Sequence, residues 1–233
     1  MSAANPTILT ETREDPRYDP SCRRCPRLAA FLDDVREENP GYWCKPVPPF
    51  GDAAARLVVV GLAPGMHGAN ASGRPFTGDY AGLLLYATLF AYGWSNQPTG
   101  AAVGDGLALH GCRITNAVKC LPPQNKPQPV EIANCKRYLA ADLATLPRGA
   151  AVLALGRIAH DATLRALGLK PLDFAFSHGA RHRLDTPVSG VALFDSYHCS
   201  RYNTNTRRLT PRMFDSVFDA IATHLGTPRR AAA

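Results

Sequence analysis

The chain has no phosphate-binding P-loop, because no Gly-Lys-Ser/Thr follows its glycine-rich stretch, and no GxGxxG dinucleotide fingerprint. These absences remove the usual sequence signatures of ATP and dinucleotide binding. Long apolar runs are missing too, and the longest present is far too short to span a bilayer. The opening residues, MSAANPTILTETREDPRYDP, lack both the apolar core of a signal peptide and the Arg-rich, acid-poor character of a transit peptide. A cytoplasmic protein is expected, nucleoid-associated if bacterial, with no membrane partner. No internal repeat and no dividing linker is visible. The expected organisation is a loosely ordered polar segment at 1–17 followed by a single domain at 18–233, with no protein partner implied and a monomer expected.

What is present points elsewhere. The 233 residues suffice for a substantial core. Twenty-six Lys plus Arg against nineteen Asp plus Glu give a formal charge of +7, which favours a polyanionic partner without establishing one. Seven cysteines in a reducing compartment suggest metal ligation rather than a disulfide framework.

Apolar or β-branched runs predict strands at Leu57–Gly61, Cys112–Cys120, Ala151–Gly156 and Val191–His198. Helical spacing recurs between and after them, at Ala81–Tyr92, Val130–Leu146, Arg157–Gly168 and Thr210–Leu225. This alternation predicts an α/β fold, a three-layer α/β/α sandwich with a mostly parallel central sheet. Ligands of such sheets bind beyond the carboxyl ends of the strands. Three unusual segments fall there.

The first is GLAPGMHGANASGRPFTGDYAG, Gly61 to Gly82, with six glycines and two prolines. Its few larger residues, His67, Arg74, Phe76 and Asp79, are candidates to line a pocket, and a loop of this length at a strand end is more often functional than decorative. The second is a set of thiols: the CxxC of Cys22 and Cys25, Cys120 at a strand end, and Cys135 on the following helix. Cys135 alone fits a small buried hydrophobe. The four together point to an all-cysteine metal site, and tetrahedral zinc and an iron-sulfur cluster both fit the spacing. Cys44, Cys112 and Cys199 are left as free thiols. The third is SYHCSRYNTNTRRLTPR, where His198 precedes Arg201, Arg207, Arg208 and Arg212 among Asn and Thr, the residue types that contact phosphate oxygens. A solvated basic loop and a hydrogen-bonded core histidine are the plain alternatives.

These segments, with TNAVKC at Thr115–Cys120, resemble the signature stretches of the uracil-DNA glycosylase superfamily, specifically its fifth, B-type family. The match runs from Cys22 to the last helix. It implies that Phe76 stacks on an extruded base, that Asn116 reads the base's polar edge or positions water, and that His198 hydrogen-bonds the carbonyl oxygen of the leaving base. Asp79 would be the carboxylate associated with catalysis. Gly61, Ala63 and Gly65 would form a wall that a flipped nucleotide approaches closely, and Cys22, Cys25, Cys120 and Cys135 would hold a 4Fe-4S cluster. The loop from Asn203 to Leu209 would press on the duplex, with Leu209 or a neighbour as a wedge.

Two departures stand out. Leu62 and Ala63 occupy the place where most of the superfamily has a polar residue, which is itself the B-type pattern and separates this chain from the A-type, which carries Glu at Leu62. Cys199 replaces the proline of a His-Pro-Ser triplet found in many relatives. The resemblance implies a monofunctional glycosylase that takes uracil, and other deaminated bases such as hypoxanthine, from DNA and leaves an abasic site. No lysine other than Lys119 lies in the three segments, and it reads as a phosphate or cluster neighbour. The competing readings are a non-catalytic DNA-binding protein with a structural metal site and a small-molecule hydrolase.

Overall fold

The computed structural model describes residues 17–185, 190–227 and 229. The expected N-terminal segment at 1–17 therefore lies outside the described residues except for Arg17. Six strands form one sheet: β1 (Phe50–Gly51), β2 (Leu57–Gly61), β3 (Cys112–Asn116), β4 (Ala151–Leu155), β5 (Arg181–Arg183) and β6 (Ala192–Ser196), in the order β1-β3-β2-β4-β6-β5. The four central strands are parallel, and the short outer strands β1 and β5 pair antiparallel with β3 and β6. Every residue of β2, β3, β4 and β6 is buried, as expected for a sheet covered on both faces.

Seven α-helices accompany it among the described residues: α1 (Pro26–Glu38), α2 (Ala69–Ser72), α3 (Tyr80–Ala91), α4 (Pro129–Leu143), α5 (Arg157–Ala166), α6 (Arg201–Asn205) and α7 (Pro211–Leu225). On one face, Leu57, Val59, Ile114, Leu153 and Phe194 pack against Leu85, Leu89, Phe214, Phe218 and Ile221 of α3 and α7. On the other, Val58, Val60, Val152 and Leu193 meet Leu139, Leu143, Ala159 and Leu164 of α4 and α5. The alternation along each strand assigns the two faces, and the three-layer α/β/α sandwich follows. A third apolar cluster joins Leu28, Leu32 and Val35 of α1 to Val118, Leu121 and Tyr138 beside the β3–α4 connection.

Local chemistry sets several helix starts. The α3 N-cap is Asp79, whose carboxylate accepts from Gly82 N at 2.9 Å. Helix α4 opens on a capping box between Gln128 and Glu131 with Pro129 in its first turn. Helix α7 opens on Thr210 and Pro211 and closes on Gly226 at φ 66°. The run at Cys112–Cys120 is a strand only to Asn116; Ala117 and Val118 still donate to Gly61 O and Leu62 O before the chain turns.

The connection from β2 leads to β3 on one side, and that from β4 leads toward β6 on the other. The carboxyl ends of β2 and β4 thus flank the point where the winding reverses, the ordinary place for a ligand crevice in an open α/β sheet.

Candidate active site

Beside that reversal point lies a small cavity of about 60 Å³, lined by Leu62, Ala63, Gly65, Ala69, Phe76, Asp79, Asn116, Asn125 and His198. The loop after β2 supplies the first six, β3 ends on Asn116, and His198 follows β6. Four chain segments therefore converge on one space.

The glycine-rich loop is shaped by close approaches. A Cβ on Gly61 would stand 3.0 Å from the Phe76 ring edge and nearer still to Asn116 Oδ1, so only glycine lets those two side chains meet there. A Cβ on Gly68 would stand 2.7 Å from Asp79 Oδ2. Phe76 itself has φ 55°, the left-handed region that bulky residues avoid. Its neighbours hold it in that conformation. Tyr86 Oη donates to Pro75 O at 2.7 Å, and Arg74 Nε donates to Thr77 Oγ1 at 2.7 Å. The Arg74 guanidinium also forms a two-point ion pair with Asp105, at 2.9 and 2.7 Å. Arg74 is thus a buried brace outside the cavity lining, and His67 also stays outside it, its Nδ1 paired with Tyr42 Oη at 2.9 Å. Of the four larger loop residues singled out from sequence, Phe76 and Asp79 line the cavity.

The electrostatics are those of a desolvated pocket. Burial raises Asp79 above the usual carboxylate range, against the opposing pull of the Gly82 and Ala81 N–H groups. Burial lowers His198 to about 4, so the imidazole is neutral near pH 7 although part of its surface faces the cavity. Its ring stacks on Phe76 with centroids 5.8 Å apart and planes 23° from parallel. Asn203 Nδ2 donates to His198 O at 2.8 Å and fixes the backbone at that point.

The basic segment runs past the cavity mouth. Arg201, Arg207 and Arg208 are exposed; Arg201 lies over the Tyr80 ring at 5.1 Å and Arg208 over Tyr197 at 4.6 Å. Leu209 behaves differently. It is fully buried against α7 and the sheet, its N–H donating to Asn203 O at 3.0 Å, and so it does not project toward a ligand. The wedge suggested by the resemblance has to be sought among its exposed neighbours. Lys119 is buried as well: Nζ pairs with Asp142 Oδ2 at 3.2 Å and contacts Thr115 Oγ1, while its backbone N–H donates to Cys135 Sγ at 3.5 Å. It is a neighbour of the thiols, not a phosphate contact.

Cys22, Cys25, Cys120 and Cys135 line one small cavity together with Arg24, Ala29, Asn134 and Tyr138. Burial, with the other sulfurs adding to it, raises the Cys120 thiol, and burial pushes Cys135 up to about 11. Among the described residues, the His/Cys/Asp/Glu group whose ligand atoms all lie within 4.8 Å of one another is a different one, His160, His182 and Asp195. Cys44, Cys112 and Cys199 are free, buried thiols.

With this geometry in view, a family model described as "Uracil DNA glycosylase superfamily" matches residues 48–222. The Type-5 uracil-DNA glycosylase of Thermus thermophilus is 46% identical over 202 residues, covering 84% of this chain and 90% of that one. That of Pyrobaculum aerophilum is 43% identical over 211 residues, covering 88% and 90%. The Mycobacterium bovis protein of the same name is 40% identical over 209 residues, covering 84% and 75%. The chain belongs to the type-5 uracil-DNA glycosylase family.

Three features of this type-5 chain are not visible in the motifs. Asn125 reaches the cavity from the β3–α4 connection, where Gln124 and Asn125 both adopt left-handed conformations at φ 54° and 56°. The PPQN sequence carries a signal for that turn, since Asn tolerates the left-handed region. The anchoring role of Asn203 and the His160, His182 and Asp195 group have no local signal at all. No described helix is long and apolar enough to cross a membrane.

Proposed function

We propose that this protein is a monofunctional DNA glycosylase that extrudes uracil, and other deaminated bases such as hypoxanthine, from DNA and hydrolyses the N-glycosidic bond. The observation that carries the reading is the convergence of Phe76, Asp79, Asn116 and His198 on one cavity at the strand ends, in a chain of this family.

Reaching a glycosidic bond requires the base to leave the stack, at a cost of a few kcal/mol. The Phe76 ring offers an extruded base a replacement stacking surface, worth about 1–3 kcal/mol. As the C1′–N bond breaks, its electron pair departs with the base, leaving positive charge on the sugar and negative charge spread to a base carbonyl oxygen. A neutral His198 donates an N–H hydrogen bond to that oxygen without adding a proton. A donor so placed is worth about 3 kcal/mol in a dry pocket. Water adds its oxygen to C1′, and the proton it loses passes by way of the Asp79 carboxylate to solvent; the same carboxylate stabilises the sugar cation. Asn116, with Asn125 beside it, presents amide groups to the base edge or to that water. Leu62 and Ala63 offer no polar reader, which supports acceptance of more than one deaminated base.

A second step through an amine is not supported: no lysine lines the cavity, and Lys119 is committed to Asp142. The exposed Arg201, Arg207 and Arg208 suit phosphate contacts along the bound strand.

The four cysteines are suited to a 4Fe-4S cluster. They line one cavity, and four thiolates with no histidine or carboxylate among them are the donor set of such a cluster, as the family resemblance implies. Such a cluster would supply a cross-link between the segment leading into α1 and the β3–α4 region. Nothing in the chemical steps above passes through it.

The test is incubation with duplexes bearing one uracil or one hypoxanthine, followed by alkaline cleavage of abasic sites. Scission at either base supports the reading. Intact strands at saturating protein would leave a DNA-binding protein without chemistry. Brown protein with broad absorption in the blue, bleached by Cys120→Ser, supports the cluster; colourless protein with bound zinc contradicts it.

A further inference from the structure

We infer that His160, His182 and Asp195 form a second metal site, selective for zinc or a zinc-like divalent ion, separate from both the cavity and the four cysteines. The inference stands independently of the proposed glycosylase activity.

The three residues come from three elements, His160 from α5, His182 from the outer strand β5 and Asp195 from β6. His160 and Asp195 are fully buried, and the His182 side chain is 16% exposed. Their ligand atoms all fall within 4.8 Å of one another. His160 Nδ1 lies 2.8 Å from Asp195 Oδ1, and His182 Nε2 lies 3.2 Å from Asp195 Oδ2. Two imidazole nitrogens and a carboxylate oxygen are a zinc donor set of three protein ligands with a fourth position left for water.

The hydrogen-bond accounting sharpens this. His160 Nε2 is 3.0 Å from Phe174 O, an atom that only accepts, so Nε2 must carry a hydrogen. In the neutral ring that leaves a bare lone pair on Nδ1 facing an ionised carboxylate oxygen, which is repulsive unless a cation sits between them. Either a proton or a metal ion fills that role. Two features suit the metal. A backbone carbonyl held by the far nitrogen is the usual outer support of a metal-bound histidine. The second imidazole meets the other oxygen of the same carboxylate, so that each of the three side chains offers one donor atom to a common space. The edges of Phe176 and Phe174 close on the His160 and His182 rings, at 5.6 and 5.7 Å, and make the surroundings apolar. Among the described residues no lysine or arginine pairs with Asp195.

Cobalt(II) is the probe, because thiolate ligation produces intense near-ultraviolet charge transfer and nitrogen-oxygen ligation gives visible d–d bands without it. Full-length protein carrying whatever it holds at the cysteines is titrated with cobalt(II), and zinc is then added. The expected result is one equivalent of cobalt with d–d bands and no thiolate charge transfer, displaced by zinc. His182→Gln keeps a side chain able to donate to Asp195 and sits at the sheet edge. With its far-ultraviolet circular dichroism unchanged, it is expected to weaken cobalt binding at least about tenfold. Absence of the d–d bands in the wild type overturns the inference, as do bands accompanied only by thiolate charge transfer or bands that persist in His182→Gln. The first of these results would make His160 an imidazolium paired with Asp195.

Discussion

Phe76 and His198, 122 positions apart in the chain, stack their rings at 5.8 Å with planes 23° from parallel, one from the loop after β2 and the other from the end of β6. The stack places a flat apolar surface and a hydrogen-bond donor side by side on one cavity. Phe76→Ala is expected to lower single-turnover base excision about 10- to 100-fold through lost stacking. Rapid-quench assays with enzyme in excess measure this. An unchanged rate would remove Phe76 from the base site.

The pH dependence follows from the buried state of both titratable groups in the cavity. His198 is held near 4, below the ordinary value of 6.5, so it stays neutral as pH falls through 6.5. Asp79 is raised, so its ionised form is lost earlier than that of an exposed carboxylate. The excision rate is expected to be flat from about pH 7 to 8 and to fall only on the acid side, with Asp79 leading the loss. Because the unfolded chain binds a proton at His198 more readily than the native one, that residue also lowers stability as pH drops from about 6.5 toward 4. An acid limb centred at 6.5 that vanishes in His198→Gln would show instead that His198 keeps the ordinary imidazole value and that its protonation, not that of Asp79, ends activity.

Gly68→Ala offers a test of how the loop sets Asp79. The added Cβ would stand 2.6 Å from Asp79 Cβ, so the carboxylate must move. Excision is expected to drop at least about tenfold, as a small misplacement of a catalytic group commonly causes. Thermal unfolding measured in parallel separates displacement of the carboxylate from loss of the fold; a normal rate in the folded variant would contradict the assignment.

Leu209 and Arg208, adjacent in sequence, should fail in different ways. Leu209→Ala removes a fully buried side chain and is expected to cost about 2–5 kcal/mol of stability. Arg208→Ala should leave stability nearly unchanged and reduce the slope of log affinity for DNA against log salt by about 1, the loss of one phosphate contact. Denaturant titration and salt-dependent binding distinguish them. The reverse pattern would restore Leu209 as the residue that meets DNA.

That contrast also shows which parts of the molecule can be read along the chain. β2 and β4 are legible because a strand buried on both faces is a continuous apolar run, and α7 because Thr210, Pro211 and Gly226 mark its ends. β1 and β5, two and three residues long, are too short for any period to show, and α1 is hard to see in the sequence because its apolar stripe is weak and is completed by packing against a distant connection. At the site, Phe76, Asp79, Asn116 and His198 were accessible from motif and position. What the chain order hides is non-local: Arg74 leaves the pocket for Asp105, 31 positions away, and Lys119, read as a phosphate or cluster neighbour, is the latter, with its ammonium turned inward to Asp142. Leu209 folds back because Asn203 ties the turn together.

The most direct measurement is single-turnover excision of uracil from a duplex by the wild type and by His198→Ala at saturating protein. Abasic product is expected from the wild type and a rate lower by about 100- to 1,000-fold in the variant, the worth of one donor aimed at the departing oxyanion. No product from the wild type, or equal rates for the two proteins, would contradict the mechanism.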